Sequence, residues 1–303
     1  MTVKNDKKVL NVSVVVPCYN EENGAAVALK ELYAVLEGST FSFEIIAVDD
    51  GSEDKTSEIL QSLDFPIRIL HNSENRGYGA SIKRGIRHAK GELIAITDAD
   101  GTYPPFTLPD LISLTHSGEA HMAVAARVSD KNATPLIRRP AKWFLRAMAS
   151  FVSGRKIPDI NSGLRVFRKD LAEKLIGILP DGFSLTTTIT LALLTNGYTV
   201  EYRTVDYLKR KGVSKIRPIR DTLLFIQLTL KIALYFAPLK VFVPFSFLLM
   251  VASLVWALFS YFILGRLADT SSLVLALGGL QMGAIGMLAE MIRYNFPVNR
   301  DGD

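Results

Sequence analysis

Two pairs of carboxylates stand out by their spacing. Asp98 and Asp100 lie two positions apart directly after the apolar run Leu93 to Thr97, and Asp49 and Asp50 adjoin one another directly after Phe43 to Val48. Residues at i and i+2 point the same way when the chain turns between them, so Asp98 and Asp100 can present two hard oxygen donors together. Such donors suit Mg²⁺ or Mn²⁺, which bridge protein carboxylates to phosphate oxygens. Asp49 and Asp50, followed by Gly51 and Ser52, can accept hydrogen bonds from a nucleobase or a ribose. A lone Asp-x-Asp is more often a solvated turn. Two acidic strand ends in one sheet repel each other unless a cation or donors compensate, and that coincidence favours a ligand site.

The elements that position these acids follow from the apolar pattern. Val12 to Val16, Phe43 to Val48, Ile67 to Leu70 and Leu93 to Thr97 read as buried strands. Between them, helices are expected from Asn20–Asn23 through Leu36, over Ser52 to Leu63 with Ser52 as N-cap, and over Ala80 to Ala89. Strands alternating with helices imply an α/β fold with a mainly parallel, Rossmann-like sheet, in which ligands bind beyond the carboxyl ends of the strands. All four aspartates stand at such ends.

Other chemistries are disfavoured. The one cysteine, Cys18, allows no internal disulfide, and four histidines make a histidine metal cluster improbable, so any metal is expected on oxygen. No Gly-x-Gly-x-x-Gly follows the first strand and no Gly-Lys-Ser/Thr phosphate loop occurs, which argues against a dinucleotide oxidoreductase and a P-loop NTPase.

The C-terminal third differs in kind. Arg203 to Lys240 carries nine basic residues against Asp206 and Asp221, and directly precedes Val241 to Leu264, which has no charged residue. At 1.5 Å per residue that run spans roughly 36 Å, and the uncharged Thr270 to Ala289 roughly 30 Å, each enough to cross a bilayer. Residues 1–216 are therefore expected to form the catalytic unit and 217–240 a juxtamembrane amphipathic region. Residues 241–303 then form a transmembrane hairpin, spans about 241–264 and 270–290, with a short tail. Pro218 to Phe236, with the polar stripe Arg220, Gln227 and Lys231, suits a membrane interface, and Arg138 to Arg155 is a second such segment or an ordinary domain helix. Gly279, Gly283 and Gly286 permit close packing on the first span or on another subunit, a homo-oligomer. Arg217, Arg220, Lys231 and Lys240 flank the first span while the connection holds only Arg266, which by the positive-inside rule puts the N-terminal unit and both termini in the cytosol. The first apolar run, Val9 to Pro17, is too short and too polar for a secretory signal. The basic segment abuts membrane spans, so a lipid surface or a phosphate explains it better than nucleic acid.

The motifs occur in a recognisable order: Val16-Pro17-Cys18-Tyr19-Asn20-Glu21-Glu22, Val48-Asp49-Asp50-Gly51-Ser52, Asn75-Arg76-Gly77-Tyr78-Gly79-Ala80, Ala89-Lys90-Gly91-Glu92, Asp98-Ala99-Asp100, Asp159-Ile160-Asn161-Ser162-Gly163-Leu164-Arg165 and Arg210-Lys211-Gly212-Val213-Ser214-Lys215. In this series the chain resembles family 2 glycosyltransferases of the GT-A fold, in the branch of dolichol-phosphate mannosyltransferase and bacterial polyprenyl-phosphate glycosyltransferases. The resemblance covers about two thirds of the chain. It implies an integral membrane enzyme of a bacterial inner or ER-type membrane. That enzyme would move a sugar from a UDP- or GDP-sugar to a polyprenyl phosphate, with inversion and with Mg²⁺ or Mn²⁺. Carried over by position, Pro17, Tyr19, Asn20 and Glu21 would line the nucleoside pocket with Asp49 and Asp50. Asp98 and Asp100 would hold the metal and the donor diphosphate. Arg127, Arg210 and Lys215 would bring positive charge to the phosphates, and Ser162, Arg165 and Ser214 would shape the acceptor site.

Two departures bear on the substrate. Gly101-Thr102 stands where many relatives have Leu-Gln, and Gly182-Phe183-Ser184-Leu185 leads to Thr186-Thr187-Thr188 where mannosyl-type relatives have Gln-x-Glu. A hydroxyl acceptor needs a general base, whereas a phosphate monoester is largely a dianion at neutral pH and needs orientation and cationic screening instead. The missing carboxylate thus favours a lipid phosphate, with Asp159 as the one remaining candidate base. The alternatives are transfer to a glycerolipid or sphingolipid hydroxyl and a non-catalytic nucleotide-sugar-binding scaffold. A processive polysaccharide synthase would carry Gln-x-x-Arg-Trp, which Gln61, Gln227 and Gln281 do not begin.

Overall fold

The computed structural model describes residues 10–127, 147–206, 230–231, 233–265 and 269–295. The four expected strands form: β1 (Val12–Cys18), β2 (Phe43–Asp49), β3 (Arg68–His71) and β4 (Leu93–Ile96), all parallel to their neighbours among themselves. Three more complete a seven-stranded sheet of order β3-β2-β1-β4-β6-β5-β7, with β5 at Met122–Arg127, β6 at Arg165–Arg168 and β7 at Val200–Val205. Only β6 runs against the others. Val-rich β1 lies in the sheet interior, between β2 and β4, because its side chains bury on both faces, as a strand covered by helices on both sides requires.

The sheet separates two cores. α3 (Tyr78–His88), α5 (Lys169–Leu175) and α6 (Leu185–Thr195) cover Val15, Ile46, Ile94 and Phe167, while α1 (Ala25–Glu37), α2 (Thr56–Gln61) and α4 (Leu108–His116) cover Val14, Val16, Ile45 and Ala95. Period-two alternation along β1 and β2 assigns each side chain to its face. From β1 the chain steps outward to β2 and β3, then returns to the other side of β1 for β4. The crevice between β1 and β4, beyond their carboxyl ends, is the topological switch point at which such sheets bind ligands.

One expected boundary is corrected. α2 begins at Thr56 after Lys55, and Ser52 caps no helix; its Oγ instead accepts the Asn20 N–H at 3.1 Å.

Beyond the sheet, α7 (Pro238–Leu264) and α8 (Asp269–Asn295) pair antiparallel, joined at Gly265 in the left-handed conformation (φ 64). Both are long and apolar enough to cross a membrane. The small residues of α8 face α7: a Cβ on Gly286 would fall 2.6 Å from Phe242 Cβ, and one on Gly279 3.1 Å from the Ser246 carbonyl oxygen. Ser246 Oγ donates to the Gly279 carbonyl and Ser253 Oγ to the Ser272 carbonyl, each at 2.7 Å, so the hydroxyls are satisfied between helices rather than left in hydrocarbon. The glycine face therefore serves the hairpin itself. Residues 147–153, and residues 230–231 and 233–236, are helical and pack together through Met148, Val152 and Ala233, next to Ala237 and Val241. Lys240 Nζ donates to the carbonyls of Phe151 (3.2 Å) and Val152 (2.7 Å), tying the start of α7 to the 147–153 helix.

Candidate active site

The loop after β1 and the loop after β2 are sewn together backbone to side chain. Asn20, with φ 50 in the left-handed region that asparagine tolerates, accepts the Glu53 N–H on Oδ1 at 2.8 Å. The Glu21 N–H donates to Thr56 Oγ1 at 2.8 Å, and the Glu22 N–H to Asp54 Oδ2 at 3.1 Å. Register puts Cys18 beside Asp49 and Pro17 beside Val48. Pro17, Tyr19, Asn20, Glu21 and Asp49 thus share one rim, at the carboxyl ends of β1 and β2.

Asp49 and Asp50 are both buried, and their environments differ. Asp49 accepts the Ser52 N–H on Oδ1 at 3.0 Å and meets His71 Nδ1 with Oδ2 at 3.2 Å. Asp50 turns to the other side. Its Oδ1 accepts from Asn72 Nδ2 (2.6 Å) and the Arg76 N–H (3.0 Å), and its Oδ2 from the Gly77 N–H (2.8 Å). Both Asp50 oxygens organise the 72–77 loop, which sets the start of α3.

Asp98 and Asp100 follow β4 at the switch-point crevice. Asp98 Oδ1 accepts the Tyr78 hydroxyl at 3.2 Å, and its Oδ2 lies so close to Gly163 that a Cβ there would collide with it. The Gly163 N–H donates to the Tyr103 hydroxyl at 2.8 Å. Asp100 Oδ1 accepts from Thr102 N (3.1 Å) and Thr102 Oγ1 (2.7 Å), closing a turn through Gly101 at φ 68. Burial, and then the Asp98 charge, push the Tyr78 hydroxyl well above its ordinary range, so Tyr78 donates.

The remaining described residues are placed as follows. Arg127 grips Asp159 through Nε (2.6 Å) and Nη2 (2.9 Å), and its own N–H adds a third bond to Oδ2 at 3.2 Å. Burial raises the Asp159 carboxyl, but the bonds and charge of Arg127 outweigh that and hold it below the usual carboxylate range. Ser162 is buried and donates to the Ala125 carbonyl at 2.6 Å. Arg165 is fully buried beneath the site: Nε bonds the Ser162 carbonyl at 3.1 Å, and Nη1 the Thr186 carbonyl (2.8 Å) and Thr190 Oγ1 (2.9 Å). These two residues join β5, β6 and α6 rather than facing solvent. Thr187 Oγ1 bonds Asn161 Oδ1 at 2.5 Å, so the first turn of α6 abuts the 159–163 segment. Arg210, Ser214 and Lys215 lie outside the described residues. Sequence reasoning missed Tyr78, Tyr103 and Phe183, although Tyr78 sits inside a quoted motif and Phe183 follows a conspicuous glycine.

Comparison with known proteins agrees with this architecture. The profile described as Glycosyl transferase family 2 matches residues 13–176, and the GtrB C-terminal hairpin profile matches residues 237–293. The undecaprenyl-phosphate 4-deoxy-4-formamido-L-arabinose transferase of Photorhabdus laumondii is 34% identical over 175 residues, 56% of this chain and 53% of that protein. The chain thus spans about half the length of that relative. A dolichyl-phosphate hexose transferase of Haloferax volcanii is 26% identical over 208 residues, 69% of this chain and 87% of that one. Among solved structures, glucosyl-3-phosphoglycerate synthase of Mycobacterium tuberculosis, in complex with Mn²⁺, UDP-glucose and phosphoglyceric acid, superposes with a TM-score of 0.60. Its identity is 16%, over 74% of this chain and 80% of that one, a likeness of fold.

Proposed function

Because the chain belongs to glycosyl transferase family 2, we propose that it transfers a sugar from a UDP- or GDP-linked donor to a polyprenyl phosphate at the cytosolic face of a membrane. The observation that carries this reading is the union, in one chain, of the family's catalytic domain with two helices long and apolar enough to span a bilayer.

Each part of the site has a role in it. The rim of Pro17, Tyr19, Asn20, Glu21 and Asp49 would receive the nucleoside, with Asp50 holding the adjoining loop. Among the described residues no three His, Cys, Asp or Glu side chains gather around one point. Asp98 and Asp100 are two hard oxygen donors at the switch point, a set that fits Mg²⁺ or Mn²⁺ completed by diphosphate and water oxygens. Asp98 and Asp100 would hold such an ion, whose positive charge would offset the negative charge of the departing nucleoside diphosphate. Arg127, Arg210 and Lys215 would screen the phosphates, and Ser162, Arg165 and Ser214 would shape the acceptor side, the first two by fixing the walls. A phosphate oxygen of the acceptor attacks the anomeric carbon as the bond to the nucleoside diphosphate breaks, which inverts that centre.

The acceptor class rests on the missing base. The first turn of α6 carries Thr186, Thr187 and Thr188, and Asp159 is locked on Arg127. Among the described residues a hydroxyl acceptor would find no carboxylate on that turn to take its proton; a phosphate dianion needs none. The membrane side fits as well. Phe151, Leu230, Leu234 and Tyr235 stay exposed on the two short helices beside the start of α7, where a bilayer interface would cover them.

The test is incubation of the detergent-purified protein with undecaprenyl phosphate, Mn²⁺ and a panel of UDP- and GDP-sugars, read by mass spectrometry of the lipid fraction. One glycosylated polyprenyl phosphate is expected, and Asp100→Asn should lower its formation at least a hundredfold without unfolding the protein (about 3 kcal/mol of lost stabilisation). Donor bound without turnover across the panel, hydroxyl lipids included, would overturn the enzymatic reading.

A further inference from the structure

Tyr78 opens α3 with its hydroxyl on Asp98, and the chemistry above gives it no part. Its ring is held in place. Phe183 stacks on it with centroids 5.3 Å apart and planes 19° from parallel. The segment that carries Phe183 is itself fixed to α3. The Ala80 N–H donates to the Asp181 carbonyl at 3.0 Å. Lys83 Nζ donates to the Leu179 carbonyl at 2.9 Å and pairs with Asp181 Oδ1 at 2.5 Å. A Cβ on Gly79 would collide with the Pro180 carbonyl oxygen, so α3 and residues 180–182 meet backbone to backbone. That contact explains the glycines on both sides of Tyr78.

Asp98 is thus bounded by two segments. The Tyr78 hydroxyl stands on Oδ1, and Gly163, pinned by Tyr103, lies against Oδ2. Two carboxylates following one strand end repel each other whenever no cation lies between them, and an unheld Asp98 would turn away from Asp100.

We propose that Tyr78 is a positioning residue, whose hydroxyl fixes Asp98 in the orientation that receives the divalent cation bound with the donor diphosphate. Tyr78 acts through Asp98 and touches neither sugar nor acceptor. Phe183 supports it by holding the ring. The inference rests on the donor-site reading of Asp98 given above.

The test uses the full chain in detergent. Mn²⁺ binding is followed by the electron paramagnetic resonance of the free ion, in the presence of UDP and, separately, GDP. Nucleotide binding is measured in EDTA, and the melting temperature is recorded. Tyr78→Phe keeps the stack and removes the hydroxyl. It should weaken nucleotide-linked Mn²⁺ binding about tenfold, at the low end of what losing a partner of a metal ligand does. Nucleotide affinity in EDTA and the melting temperature should not move; a merely structural role would shift both. Phe183→Leu, at a position 68% exposed and so tolerant of change, should weaken Mn²⁺ binding by a smaller factor, roughly threefold. In an Asp98→Ala background Tyr78→Phe should add nothing. If Asp98→Ala loses Mn²⁺ binding while Tyr78→Phe binds it like the wild type, the positioning role is overturned and the donor-site reading stands. Should Asp98→Ala itself bind Mn²⁺ normally with either nucleotide, the donor-site reading fails, and this inference with it.

Discussion

The four aspartates that the sequence singles out divide into different duties once their partners are known. Asp50 gives both oxygens to the 72–77 loop, and Asp49 stands between Ser52 and His71 at the rim. Their placement was legible because an acid directly after an apolar strand leaves little choice of where it can go. The local bonds of Asp49 to Ser52 and of Asp100 to Thr102 lie within one turn, but the partners His71, Asn72, Arg76, Gly77 and Tyr78 were not legible, since they come from segments about twenty or more residues away. Tyr78 was hidden for the same reason: a tyrosine between two glycines reads as a turn until α3 meets the 180–182 backbone. Asp159 gives the clearest residue-scale test. Its carboxyl is held below the usual range by a largely buried pair with Arg127, so its ionised form stabilises the fold. A depressed folded-state pKa contributes stability that is complete above the unfolded value of about 3.9 and fades as pH falls toward the folded value. Asp159→Asn should therefore cost about 3 kcal/mol at pH 7, because it removes the carboxylate charge that takes three bonds from Arg127. The gap to the wild type should narrow below about pH 4, where the unfolded chain takes up the proton that the folded Asp159 still resists. Thermal melts from pH 3 to 7 would record this; a gap that does not change with pH would remove the ion pair as its source.

At the scale of elements, the strands of the nucleotide-binding half read plainly, because Val and Ile runs end in acids or glycine. The other half did not. β5 is alanine-rich, β6 has four residues with arginine at both ends, and α6 carries four buried threonines whose composition favours a strand. α6 is helical because those hydroxyls find partners within it or just beside it, Thr188 on the Ser184 carbonyl and Thr190 on that of Thr186. The hairpin was legible as two spans, while the side on which its glycines would be used was open. Their use against α7 makes a prediction. A methyl on Gly286 would meet Phe242 Cβ at 2.6 Å, whereas one on Gly278 finds only Leu249 Cδ1, at 3.9 Å. Gly286→Ala should destabilise the hairpin by about 1–3 kcal/mol, the usual cost of overpacking. Gly278→Ala should be neutral or slightly stabilising, as alanine is the better helix former. Melting in a fixed detergent compares the two, and equal effects would mean that α8 does not pack on α7 through this face.

The whole molecule is an enzyme fold and a hairpin joined by a short, strongly basic stretch, and that asymmetry carries the orientation. Four basic residues, Arg217, Arg220, Lys231 and Lys240, precede the first span closely, against Arg266 alone in the connection. Positive charge near the ends of spans is retained on the cytosolic side, so the domain and the C-terminal tail should share that side and the connection should face outward. Function requires the same arrangement, since nucleotide sugars are the donors proposed here and the crevice at β1 and β4 must reach them. The chain makes the test simple. Its one cysteine, Cys18, is fully buried, and burial together with the charges of Asp49 and Glu21 pushes its thiol far above the reactive range, so background labelling should be negligible. Single cysteines can then be placed at Glu119 on the exposed surface of the domain, at Ala268 in the connection and at Gly302 in the tail. With a membrane-impermeant maleimide on intact cells, only Ala268→Cys should label; after permeabilisation all three should. Labelling of Glu119→Cys and Gly302→Cys but not Ala268→Cys in intact cells would invert the topology and remove the cytosolic donor from the proposal. Labelling of Glu119→Cys alone would place the two termini of the hairpin on opposite sides, which a pair of complete spans cannot produce, and would reduce α7 and α8 to a single crossing.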